Sequence, residues 1–286
     1  MRVFLAGATG VIGSRLLPLL LAEGHQVTAL TRRTTDAEGL RSLGAEPAVA
    51  DAYDAESLTR ALRNAAPEVV IHQLTDLGGA SAEANAHMRR TGTRNLTDAA
   101  VEAGVRRIVA QSVAWAYQGG DIPATEPTPL DLEADLPRAT TVRGVAALEA
   151  TVREAPEWVV LRYGVLYGPG TWYAPGGLMA ERALAGELAT DGDICSFLRV
   201  EDAAAAALAA LDWPSGPVNI CDDEPATGHA WIPVFCAAVG APAPPRSPGP
   251  ERHDWARGAD NRYAREELGW SPRHRSWRDG FTGSLL

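Results

Sequence analysis

The chain is expected to be an α/β protein: a doubly wound parallel sheet followed by a smaller C-terminal lobe. Three observations predict this. Short β-branched runs alternate with helical stretches through the first two-thirds of the 286 residues. The first run leads directly into a glycine-rich turn and then a helical pattern. After residue 164 the alternation loosens into segments rich in glycine, proline and aromatic residues. Strand–helix alternation of this length places helices on both faces of a parallel sheet.

Taken in order, the expected strands are Arg2–Ala6, Gln26–Thr31, Pro47–Ala50, Glu68–His72, Arg107–Gln111 and Trp158–Tyr163. The helical stretches between them are Val11–Glu23, Ala37–Leu43, Ala55–Asn64, Ala80–Ala103 and a segment centred on Val142–Arg153. Gly24, Gly44 and Gly104 stand where helix C-termini turn, and Asp54 precedes the third helix as an N-cap. The segment 173–177, with Pro175 and two glycines, reads as a loop, and the run APAPPRSPGP at 241–250 excludes helix and central strand, because proline lacks the N–H donor. These patterns assign residues 1–164, with 197–220 returning to the sheet, to a nucleotide-binding domain. Residues 165–196 and 221–286 are assigned to a substrate lobe.

Composition narrows the function. Hydrophobic residues make up 46% and charged residues 22%, and the net charge is −10. An acidic chain offers no basic surface for nucleic acid. Cys195, Cys221 and Cys236 share no metal or redox spacing and read as thiols, with no metal site expected. The longest apolar run, Val200 to Leu211, is too short for a bilayer and carries Glu201 and Asp202. The expectation is a cytoplasmic protein without membrane or nucleic-acid partners, a monomer or homodimer acting on a small molecule. The 26 basic residues are all arginine; the chain has no lysine.

Gly7-Ala8-Thr9-Gly10-Val11-Ile12-Gly13 follows a strand and opens a helix, the context of a dinucleotide fingerprint. Gly7 permits the tight turn, Gly10 lets backbone approach a pyrophosphate, and Gly13 allows close helix–sheet packing, with the helix N-terminus facing the phosphates. The second strand ends at Thr31-Arg32-Arg33, where an NAD site carries an acid for the ribose hydroxyl. Guanidinium binds a 2′-phosphate bidentately, so NADP(H) is the expected cofactor. Asp51 is placed to accept from the adenine amino group.

These residues resemble the extended and atypical short-chain dehydrogenase/reductase family over nearly the whole chain. Besides the fingerprint, Thr91-Gly92-Thr93-Arg94-Asn95-Leu96, the segment Leu161 to Gly170, Val200-Glu201-Asp202, and Glu267-Leu268-Gly269-Trp270-Ser271-Pro272 match its motifs in order. The resemblance implies a cofactor site completed by Thr9, Val11, Ile12, Ala52, Gln73, Gln111, Val145, Tyr163, Gly164 and Val165.

The family's Ser/Thr and Tyr-x-x-x-Lys set is where the likeness breaks. Counting back from Tyr117, the serine position falls on Val113; Ser112 stands one residue earlier, and a one-residue gap restores it. Aligned through Glu149, Thr141 occupies the tyrosine position and Val145 the lysine position. Arg89 replaces a family asparagine. Ser112 and Thr141 remain as hydroxyl donors, with Tyr117 and His72 further off. A ligand site lined by Val113, Trp115, Tyr117, Trp172 and Tyr173 suits a flat apolar molecule.

The combination is similar to the atypical ketoreductases of angucyclinone biosynthesis. It implies NADPH-dependent reduction of an aromatic polyketide ketone by direct hydride transfer, assisted by a substrate phenol. The other reading is a non-catalytic NADP(H)-sensing regulator. A nucleotide-sugar epimerase is a poorer match, because it depends on the absent Tyr–Lys pair.

Overall fold

In a computed structural model, residues 1–77, 81–249 and 251–283 are described. The expected helix start at Ala80 and Pro250 of the proline-rich run lie outside them. A seven-stranded sheet has the order β10-β6-β5-β4-β1-β2-β3. Its members are β1 (Arg2–Ala6), β2 (Gln26–Thr31), β3 (Glu46–Val49), β4 (Val69–His72), β5 (Arg107–Val113), β6 (Glu157–Tyr163) and β10 (Gly216–Ile220). In the parallel register Val3 faces both Val27 and Val69, and His72 faces Ala110. This is the doubly wound α/β sheet that the alternation predicts. Phe4, Leu5, Ala6, Val69, Val70 and Ile71 are fully buried, as parallel strands covered on both faces require.

The helices are α1 (Gly13–Ala22), α2 (Ala37–Ser42), α3 (Ala55–Ala65), α4 (Ala82–His87), α5 (Thr93–Glu102) and α6 (Arg138–Val152). The Asp54 carboxylate accepts from Ser57 N–H, capping α3. Gly24, Gly44 and Gly104 each adopt positive φ after their helices, the left-handed turn that glycine makes without steric cost. Two helices depart from expectation. The long fourth one is interrupted by a π turn at Met88–Gly92, whose extra residue per turn leaves Met88, Arg89, Gly92 and Thr93 all buried. α6 begins four residues before Val142, because Pro137 sits at its N-cap, where a missing N–H costs nothing.

Backbone contacts divide the chain into two compact units. The first comprises 1–112, 132–161 and 204–217. Its core gathers Phe4, Leu30, Leu58, Leu62, Val70, Leu96, Ile108, Leu148 and Val160 from the strands and helices already described.

The second unit comprises 113–131, 162–203 and 218–286, so it takes 113–131 from within the span assigned above to the nucleotide domain. Wholly within it are β7 (Val165–Tyr167), α7 (Leu178–Leu184), β8 (Ile194–Cys195), β9 (Phe197–Arg199), β11 (Ala226–Thr227), α9 (Gly228–Ala238) and α10 (Trp277–Gly283). α8 (Val200–Ala209) follows β9 directly. The core here is aromatic: Tyr173 meets Phe235 at 5.2 Å and Phe197 meets Trp231 at 5.2 Å between ring centroids. Such pairs contribute roughly 0.5–1.5 kcal/mol each beyond area burial. Cys221 and Cys236 are buried and Cys195 half-buried, all as free thiols. Among the described residues no helix is long and apolar enough to cross a membrane, and no acid–His–Cys group could hold a metal.

Candidate nucleotide and hydride-transfer site

The glycine turn has the geometry its spacing predicts. Gly7 has φ +92°, and a Cβ there would lie 2.7 Å from the Gln73 carbonyl oxygen. A Cβ on Gly13 would fall 2.0 Å from the Gly7 carbonyl oxygen, so α1 reaches the turn only because that atom is missing. At Gly10 an added Cβ would meet only the Gly7 carbonyl oxygen, at 3.2 Å, leaving its outer side open for another molecule's approach. Gln73 N–H donates to Ala6 O at 2.8 Å, and Gln111 Nε2 donates to Leu74 O at 2.9 Å, which ties the ends of β1, β4 and β5 together. Asn95 Nδ2 donates to Ala52 O at 3.0 Å, fixing the turn after β3. The cradle fits a dinucleotide: Gly7–Gly13 would hold the pyrophosphate, with Ala52, Gln73 and Gln111 around it.

The two arginines after β2 differ. Thr31 Oγ1 donates to Asp36 Oδ2 at 2.8 Å, and Arg33 Nε donates to the same oxygen at 3.0 Å; first the threonine and then the arginine hold the Asp36 carboxyl below its ordinary value. Arg32 is exposed and has no hydrogen bond among the described residues. Asp51 Oδ1 accepts from Tyr53 N–H at 2.9 Å, so one of its oxygens shapes the turn.

At the carboxyl end of the sheet the hydroxyl candidates are placed unequally. Ser112 Oγ donates to Glu149 Oε1 at 2.8 Å, and both residues are buried. Thr141 is half-buried and Val145 fully buried on α6. His72 Nδ1 accepts from Leu74 N–H at 3.2 Å, so Nε2 carries the proton toward Thr93 Oγ1 at 2.8 Å. Burial, then the nearby Arg89 charge, lowers its pKa to about 4 and keeps it neutral.

The second unit holds the remaining expected residues. Tyr163 is buried with its hydroxyl on Ala203 O at 3.2 Å, and a Cβ on Gly164 would lie 2.7 Å from Ser196 O. Trp115 and Trp172 are exposed at 38% and 39%, while Val113 and Val165 are half-buried. Two expectations are corrected. Tyr117 does not face a ligand: it is 1% exposed, its hydroxyl donates to Asn219 Oδ1, and Arg162 Nη1 donates to it at 3.0 Å. Tyr173 is likewise core, packed among Phe197, Trp231, Phe235 and Phe281. Both positions read as aromatic ligand platforms in sequence, because an aromatic in a glycine-rich loop gives no sign of which side it buries.

Two site residues carry little mark of their role in the sequence. Glu149 served only as a point of alignment, although its carboxylate is what occupies Ser112. Arg89 reads in the sequence only as a replacement for an asparagine, yet it is 7% exposed beside His72 and Glu149. The π turn that buries it carries no compositional mark.

Fold and site together define an NAD(P)-binding oxidoreductase of Rossmann type. Residues 7–208 match the family described as NAD(P)H-binding, and the chain belongs to that family, among the reductases and epimerases of the extended short-chain dehydrogenase/reductase type. It is 44% identical to a 3-diazoavenalumate denitrifying reductase of a Streptomyces species, over 98% of this chain and 99% of that one. It is 30% identical to a UDP-glucose 4-epimerase of Mycolicibacterium smegmatis, over 95% and 94%. Among solved structures, the Thermus thermophilus UDP-glucose 4-epimerase in complex with NAD superposes with a TM-score of 0.72 at 28% identity, over 99% and 100%.

Proposed function

We propose that the protein is an NADPH-dependent reductase of an aromatic acceptor that takes a hydride without needing a proton from the protein. The observation that carries this reading is the state of the donor positions. By the family resemblance Val145, fully buried on α6, falls at the lysine position, and Ser112 gives its hydrogen to Glu149. When bound, the dinucleotide supplies the hydride. Gly7–Gly13 orient it, and the unpaired fork of Arg32 favours the 2′-phosphorylated form.

An aryl diazonium is the acceptor best suited to such a site. The hydride adds to the terminal nitrogen to give an aryldiazene, and loss of N2 then leaves hydrogen on the ring carbon. The sum is ArN2+ + NADPH → ArH + N2 + NADP+. No alkoxide forms, so no acid is required at the positions this chain has lost. The name of the Streptomyces relative, a reductase that denitrifies a diazo compound, supports the same class.

The second reading is an aromatic polyketide ketone whose neighbouring phenol stabilises the alkoxide; exposed Trp115 and Trp172, flat apolar platforms, favour it. Epimerisation is disfavoured, since a chain without lysine has no Tyr–Lys base.

The test is stoichiometry. Purified protein with NADPH and 3-diazo-4-hydroxybenzoate should oxidise one NADPH for each N2 released. NADPH oxidation with a hydroxytetralone but not with the diazo compound would select the ketone. Tight NADPH binding with neither reaction would select a nucleotide-sensing regulator.

A further inference from the structure

We propose that Arg89 is the substrate-binding cation of this site: its guanidinium receives a planar oxyanion of the aromatic acceptor, a phenolate or a carboxylate. The inference rests on the aromatic-acceptor reading for its choice of ligand and on the geometry of the first unit for its place.

Arg89 lies in the π turn between α4 and α5, three residues beyond Ala86. There α4 and α6 are at close approach, since a Cβ on Gly144 would lie 3.0 Å from Ala86 Cα. The residue is 7% exposed, and its guanidinium has no hydrogen-bond partner among the described residues. Its nitrogens are nevertheless absent from the fully buried polar atoms that lack a partner. The fork therefore opens onto space that solvent or a ligand can enter.

The neighbours that face it do not neutralise it at contact distance. From β4 comes His72, a neutral ring bonded to Leu74 N–H and Thr93 Oγ1. From α6 comes Glu149, whose carboxylate accepts from Ser112 Oγ at 2.8 Å and lies 3.8 Å from Arg153 Nη2. Glu149 acts on Arg89 through space, against a larger effect of burial that lowers the arginine to about 10 and leaves it charged at neutral pH. A guanidinium removed from water is unfavourable unless an anion completes it.

A substrate oxyanion is the natural complement, because a guanidinium fork matches carboxylate or phenolate oxygen and an ammonium does not offer the same geometry. Arg89 also lies near His72, the last residue of β4, at the carboxyl end of an open α/β sheet, where ligands bind. In a chain without lysine it supplies the positive charge of the inner site. It holds an anion and does not donate a proton.

The experiment is calorimetric titration of 4-hydroxycinnamate and its methyl ester into the full-length protein, with and without NADPH, for wild type, Arg89→Met and Arg89→Lys. With the carboxylate as the bound oxyanion, wild type should bind the acid about tenfold or more tightly than the ester, the size of one charge-assisted contact; with the phenolate, the two should bind alike and the turnover arms decide. Arg89→Met should erase that preference while NADPH affinity stays within about threefold, and Arg89→Lys should restore part of it, as a point charge without the fork. Turnover then names the oxygen. The methyl ester of 3-diazo-4-hydroxybenzoate keeps only the phenolate, 3-carboxybenzenediazonium keeps only the carboxylate, and the arm that loses rate in Arg89→Met is the one bound. Equal affinity of wild type for acid and ester, together with unchanged turnover of the methyl ester of 3-diazo-4-hydroxybenzoate in Arg89→Met, overturns the proposal. So does a tenfold loss of NADPH affinity in Arg89→Met, which would assign the arginine to the cofactor. An Arg89-dependent acid preference without diazo turnover would sink the proposed reaction and leave the anion site standing.

Discussion

Ser112 Oγ lies 2.8 Å from Glu149 Oε1, so the hydroxyl at the end of β5 is spent on α6. The carboxylate is buried, and the serine is what satisfies one of its oxygens. Ser112→Ala should therefore act on stability more than on chemistry. Leaving a buried acceptor without its donor costs about 1–3 kcal/mol, more for a charged group. Turnover should stay within a few-fold, whereas loss of a true general acid costs about 10²–10⁴. Urea unfolding and kcat measured on the same preparation separate the two. A large fall in kcat with unchanged stability would return Ser112 to the role of acid.

Much of this was legible in the sequence, and the limits have physical causes. β1, β2 and the core of β4 are buried on both faces, so their β-branched runs stand out, and Gly7, Gly10 and Gly13 each answer a distinct steric demand. Tyr117 and Tyr173 were misread because burial of a loop aromatic is decided by partners far along the chain: Asn219 for one, Trp231 and Phe281 for the other. The π turn at Met88–Gly92 escaped because no residue type demands it, and with it went the burial of Arg89.

The contrast between Arg32 and Arg33 predicts unequal effects. Arg33 is held by Asp36, while Arg32 is exposed and makes no hydrogen bond among the described residues. Arg32→Ala should weaken NADPH by about tenfold or more and NADH little, as expected for one charge-assisted phosphate contact. Arg33→Ala should cost less, since its fork is already partly used. Fluorescence titration of both nucleotides checks this, and equal losses for NADPH and NADH would remove the 2′-phosphate assignment.

Gly10 and Gly13 should fail in different ways. Alanine at Gly13 would place its Cβ 2.0 Å from the Gly7 carbonyl oxygen, which forces α1 away from the turn. Such overpacking costs about 1–3 kcal/mol or more, so both stability and NADPH binding should fall. Alanine at Gly10 meets only that same oxygen at 3.2 Å, so the fold should hold while the methyl group intrudes on the pyrophosphate. Thermal midpoints with and without NADPH distinguish the two. The ligand-induced rise should vanish for Gly10→Ala with the cofactor-free midpoint near that of wild type.

Two buried groups make stability depend on pH in opposite senses. His72 is lowered from 6.5 to about 4, by burial first and Arg89 second. Between those values the unfolded chain binds the proton and the folded chain does not, so this term weakens stability as pH falls from 6.5 toward 4. Asp222 is raised from 3.8 to about 8, chiefly by burial, and its Oδ2 is a buried atom without a partner. Here the folded chain keeps a proton that the unfolded chain has lost, so stability is greatest below 3.8 and declines as pH rises to about 8. One proton of difference is worth about 1.4 kcal/mol per pH unit. Below pH 6.5 the two slopes oppose each other. Between 6.5 and 8 only Asp222 acts, and wild type should lose stability as pH rises. Asp222→Asn should flatten that stretch and expose the His72 slope beneath it. Urea unfolding from pH 5 to 8.5 provides the comparison. An unchanged slope between 6.5 and 8 in Asp222→Asn would mean that the carboxyl is ionised in the folded protein.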